Sequence, residues 1–133
     1  MTRTVLGIAA VFVVYTVLNF VIHGILLKPA YTQYQQLLRT PEDSSHYMMY
    51  MMAAFLIFAA GFVLAYGKLT AGGSWMMNGL GAGILVWLIS SVSRYLIYYS
   101  IEPWPLSIVL RQIGYELPTC LLVGITAGAI LKK

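Results

Sequence analysis

A chain of 133 residues with 60% hydrophobic and only 9% charged side chains, at a mean hydropathy of +0.81, falls outside the range of water-soluble domains. Its length matches four membrane-crossing helices of about 20 residues each plus connections, leaving nothing over for a soluble domain. The net charge is +4, but the basic residues flank apolar runs and form no cluster with interleaved aromatics, which argues for membrane-edge positions and against nucleic acid.

The first apolar run, Val5 to Leu27, would rise about 34 Å as a helix. It exceeds a signal-peptide core and no small-x-small cleavage site follows, so it reads as a retained span, 5–27. Tyr15, Asn19 and His23 lie four residues apart and share one helix face. Hydrocarbon offers such side chains no partners, so that face is expected to turn toward protein. Lys28-Pro29 ends the span. From Ala30 to Arg39, Tyr31, Tyr34, Leu37 and Leu38 recur at helical spacing among glutamines, which suggests a short amphipathic helix in the interface.

Thr40-Pro41-Glu42-Asp43 is a helix start, with Thr40 as N-cap, Pro41 in the first helical position and two acids where the helix dipole favours them. This helix should begin above the membrane and run on to Tyr66, with 47–66 as the second span. Gly67 to Ser74 is a Gly-rich turn. The third span, 76–99, carries Gly79-x-Gly81-x-Gly83 for close helix contact, then Trp87, Ser90, Arg94 and Tyr98 as a polar-aromatic stripe. Glu102-Pro103-Trp104-Pro105 makes a turn at headgroup depth. The fourth span, 106–131, contains Arg111, Gln112, Glu116, Pro118 and Gly124-x-x-x-Gly128. Pro118 leaves the Gly114 carbonyl without its donor, so a kink is expected beside Glu116. The single cysteine, Cys120, allows no internal disulfide.

With the N-terminus cytoplasmic, Arg3, Lys68, Lys132 and Lys133 fall on the inner side with no acids, which satisfies the positive-inside bias. All four acids and both histidines then fall in the outer half. The expected fold is all-α: one domain over 1–133, a four-helix transmembrane bundle with an interfacial helix over about 30–39.

Asn19, His23, Arg94, Arg111 and Glu116 converge in the outer leaflet on this reading. Glu116 would lie about 15 Å down its span and the arginines about 7 Å down theirs. A lone carboxylate at that depth is costly, so an ion pair between Arg94 and Glu116 is expected. The cluster suits anion or headgroup binding or a transport path, beside the plainer reading that it ties helices together. His23 and His46, on neighbouring helices at one height, could ligate haem or a metal, and Met48 and Met52 are soft donors for Cu(I). Methionine packing and an exposed His46 account for the same residues, so no cofactor is predicted. No Ser-His-Asp set, paired catalytic carboxylates, cysteine cluster or phosphate loop is present.

Asn19-x-x-x-His23-Gly24, followed by Leu26-Leu27 and Tyr31 on a four-span chain, resembles a loose group of small bacterial membrane proteins with no assigned activity. The resemblance implies a bacterial inner-membrane location. The leading functional expectation is a non-enzymatic membrane protein, either an accessory or assembly subunit of a larger complex or a lipid-contacting scaffold. Its partners would be membrane lipids and other membrane chains. The alternatives are a small transporter or channel using the Arg/Glu cluster, and a haem- or pigment-binding subunit.

Overall fold

In hydrocarbon a backbone N–H or C=O finds partners only within its own segment, so uninterrupted apolar runs become helices there. The computed structural model describes residues 1–69 and 72–132; Thr70 and Ala71 of the Gly-rich turn, and Lys133, lie outside the described residues. It is all-helical, with α1 (Thr2–Leu26), α2 (Lys28–Thr32), α3 (Pro41–His46), α4 (Met48–Leu69), α5 (Trp75–Ile101) and α6 (Leu106–Leu131). Helices α1, α4, α5 and α6 are each long and apolar enough to cross a membrane, and they form the expected bundle. Their ends fall within three residues of the boundaries read from sequence. The Arg3 guanidinium donates to the Lys132 carbonyl at 2.9 Å, which brings both ends of the chain to one end of the bundle. That is the terminal end; residues 27–47 form a link across the other.

The link is more broken than the expected helices over 30–39 and from 41 onward. Its first helical piece stops at Thr32, and a 3-10 turn follows over Gln35–Leu37. A short helix is marginal alone. Ring packing holds the link instead: Tyr31 and Tyr34 lie 5.9 and 6.3 Å from Trp104 in the α5–α6 connection. Thr40 is the N-cap of α3, accepting from the Asp43 amide at 3.2 Å. The expected continuous helix is interrupted at Tyr47 (φ −101°, ψ 1°). Ser45 turns its hydroxyl back to the Glu42 carbonyl at 2.7 Å, a local bond that competes with helix propagation. Arg39 then bridges the piece, 2.8 Å from Asp43 and 4.0 Å from the Tyr47 ring centre.

The spans pack in the order α4, α1, α6, α5. Large apolar side chains face outward, among them Met49 and Ile57 at 72% exposure and Ile89 at 65%, which suits a lipid surround rather than water. Inward-facing residues recur at four-residue spacing: Gly7, Val11, Tyr15 and Asn19 on α1 are all buried. Between α5 and α6 the backbones themselves touch. A methyl group added at Gly79 would lie 2.6 Å from the Gly124 carbonyl oxygen, and one at Gly83 2.5 Å from that of Cys120. Gly81 faces open space, so two of the three glycines in the motif make the contact. Helices α4 and α5 meet near their connecting turn, where the Tyr66 hydroxyl donates to the Trp75 carbonyl at 3.3 Å. Toward the link end a cavity lies between them.

Candidate functional site

Two spans contain wide, π-helical turns: Phe20–Leu26 in α1 and Trp87–Val92 in α5. Each extra residue rotates everything after it by about 100° about the helix axis. The consequence in α5 is that Ser91 (2% exposed) and Tyr95 (8%) face inward, while Arg94 lies exposed beside them. The stripe expected from regular spacing is therefore broken, and the anticipated Arg94–Glu116 pair does not form. Arg94 instead lies 4.9 Å from the Tyr95 ring centre. Arg111 is exposed on α6 and stays outside the cluster, because α6 turns Gln112 and Glu116, one turn apart, toward the protein.

His23 occupies the position expected of Arg94. Glu116 is 1% exposed; its Oε1 lies 3.5 Å from His23 Nε2, at the long limit of a hydrogen bond, and its Oε2 is buried without a partner among the described residues. On the other side of the ring, His23 Nδ1 is 2.7 Å from the Tyr31 hydroxyl, which accepts from Gln112 Nε2 at 2.9 Å. The Tyr95 hydroxyl is also 3.5 Å from His23 Nε2. Burial pushes the Tyr31 phenol above its ordinary value, partly offset by the Gln112 bond, so it stays a hydroxyl at neutral pH.

Four elements contribute to this set: α1 gives His23, α2 Tyr31, α5 Tyr95, and α6 Gln112 and Glu116. The signal available in the sequence was the four-residue spacing Gln112-x-x-x-Glu116 and the presence of Tyr31 eight residues after His23. Nothing in it marked Tyr95. Pro118 lies within α6, which continues through it as one helix. The Trp87 indole donates to the Ile113 carbonyl at 2.8 Å, one residue before the carbonyl that Pro118 cannot bond.

His23 lines three cavities. One of about 560 Å³ is the cleft between α4 and α5, floored by Tyr15, Thr16 and Asn19 of α1, walled by Met48, Met52 and Phe55 on one side and by Arg94, Tyr95 and Tyr98 on the other. Phe20 (66% exposed) and Met48 (48%) stand at its rim, so it opens sideways, through the flank of the bundle. The other two, of about 610 and 370 Å³, lie at the link end; Arg39, Thr40 and Ser44 line the first, and Glu102 and Trp104 the second. Asn19 is 8% exposed and donates to the Tyr15 carbonyl at 3.0 Å.

The two histidines are not brought together: His46 is exposed at the end of α3 and does not line the cavities of His23. Met48 and Met52 are on the cleft wall, where thioether and ring surfaces face each other. Among the described residues no group of three or more His, Cys, Asp or Glu is placed to hold a metal ion. Comparison with protein-family models, with curated proteins and with solved structures returns no match.

Proposed function

We propose that the chain is a non-enzymatic, lipid-contacting scaffold of a bacterial inner membrane that holds one anionic amphiphile in the α4/α5 cleft. The observation that carries this reading is the pairing of a sideways-open apolar cleft with Arg94 on its wall. Among the described residues no carboxylate lies within ion-pair distance of that guanidinium. Arg94 precedes the end of α5 by seven residues, about 10 Å, a depth from which a long cationic side chain reaches headgroup level. An acyl chain would lie against Met48, Met52 and Phe55, and the phosphate or carboxylate would meet Arg94.

Native mass spectrometry in mild detergent, after equilibration with phosphatidylglycerol and phosphatidylcholine of equal chain length, tests the reading. One phosphatidylglycerol should remain per chain, roughly tenfold more retained than phosphatidylcholine, the effect of about 1.4 kcal/mol. Arg94→Met should remove the preference, and Met52→Trp, which fills the cleft, should remove retention of both. Equal retention of the two lipids by all three proteins would overturn it.

Orientation follows from charge. Arg3, Lys68 and Lys132 lie at the terminal end, where no acid is found among the described residues, whereas the other end mixes both signs, so both termini belong in the cytoplasm. An impermeant thiol reagent applied to intact cells should label Gln36→Cys, an exposed link position; labelling only after the membrane is opened would reverse the topology.

A further inference from the structure

The geometry points to a proton path from the link end to the buried Glu116 carboxyl, running through Tyr31 and His23. The directions of the hydrogen bonds carry it. Gln112 Nε2 donates to the Tyr31 oxygen, so the phenolic proton is directed at His23 Nδ1, 2.7 Å away. An imidazole that accepts at Nδ1 carries its proton on Nε2, and Nε2 faces Glu116 Oε1. Donors thus point one way along the whole chain, from the link inward.

Three further observations agree with a path rather than a static tie. Tyr31 and His23 both line the two link-end cavities, so the outer end of the chain is reached from that side. Glu116 Oε2 has no partner among the described residues, so the carboxyl has room for a second proton position that a purely structural bond would not need. The helix carrying His23 is wound as a π-helix at that point, a geometry frequent at functional sites.

The step balances as follows. One proton from the link-end water joins the Tyr31 oxygen as its own proton passes to His23 Nδ1. The proton on Nε2 then passes to Glu116 Oε1, and a carboxylate becomes a carboxylic acid. Tyr31 and His23 each end with the number of protons they began with, and release runs the same route backwards. Besides His23, the titratable groups acting on Glu116 are Tyr15 from α1, Tyr31 from α2, Arg94 and Tyr95 from α5, and Cys120 from its own helix. Arg94 is the one permanent cation in this set, and it makes no ion pair with the carboxyl. Tyr95 shares Nε2 but offers no onward link toward the link-end water.

Infrared spectroscopy of the full chain in lipid vesicles tests the path by the rate at which the carboxyl of Glu116 exchanges its proton for deuterium. Glu116→Gln identifies the band, recorded between about pH 4 and about pH 9, the range over which carboxyl and imidazole groups titrate. Tyr31→Phe keeps the ring and removes the hydroxyl; it should slow exchange roughly tenfold or more, the loss expected of one positioned proton-transfer group. His23→Phe should slow it at least as much, and Tyr95→Phe should leave it unchanged. Wild-type exchange in Tyr31→Phe, slowing in Tyr95→Phe equal to that in Tyr31→Phe, or no band belonging to Glu116 at any pH in the range would each overturn the path.

Discussion

Gly124→Ala should destabilise the bundle by about 2–3 kcal/mol, the upper part of the range for an overfilled contact, because the added methyl runs into the Gly79 carbonyl of α5. Backbone cannot rotate away as a side chain can. The pair must separate, and every contact along the seam loosens with it, including those of Gly83 with Cys120 and Gly128 with Trp75. In a membrane this matters more than burial area suggests, since lipid tails solvate an apolar face as well as a neighbouring helix does, and packing supplies much of the attraction. Gly81→Ala is the control: nothing lies within 4 Å of the added atom, so the change should stay within about 0.5 kcal/mol. Unfolding by a graded detergent mixture reads both. Equal stability of the two variants would mean that α5 and α6 are not held at backbone contact.

The second large effect is expected at Tyr15→Ala, about 3 kcal/mol, the lower end of the range for aromatic truncation. Tyr15 is 6% exposed, stacked on Phe58 at 4.1 Å between ring centres and edge-on to Phe55 at 5.2 Å. These rings, with Val11 of α1 and Ala59, Phe62 and Val63 of α4, form the seam on which α4 chiefly depends. Helix α4 should therefore loosen while the α5–α6 pair stays intact. Amide hydrogen exchange resolves the two: protection should fall around residues 55–63 and persist around 79–86. Tyr15→Phe keeps the ring contacts and should keep α4 protected. Unchanged protection of α4 in Tyr15→Ala would show that it is held elsewhere.

The two seams differ in how plainly the sequence announced them. Gly79, Gly83, Gly124 and Gly128 mark a close approach because only a missing Cβ permits it, and that reading needs no neighbour to be known. The burial of Tyr15 and Asn19 was legible for a similar reason: polar groups at four-residue spacing in an apolar run have one tolerable direction. Gln112 and Glu116 follow the same rule on α6. Arg94 did not, because its direction depends on the wide turn over Trp87–Val92, and no residue type in that stretch dictates one.

Composition and apolar run length by themselves determined that this is an all-helical chain with four helices able to cross a membrane, because hydrocarbon leaves an apolar segment no other way to pair its backbone. They also determined which faces turn inward wherever the helices stay regular. Only the tertiary structure decided who partners Glu116. A single extra residue in a helical turn moves each later side chain about a quarter of the way round the axis, and that shift replaced an arginine with a histidine reaching out to Tyr31. The cleft between α4 and α5 belongs to the same class of fact, since it lies between two helices that meet near their connecting turn and depends on how α1 and α6 hold them elsewhere.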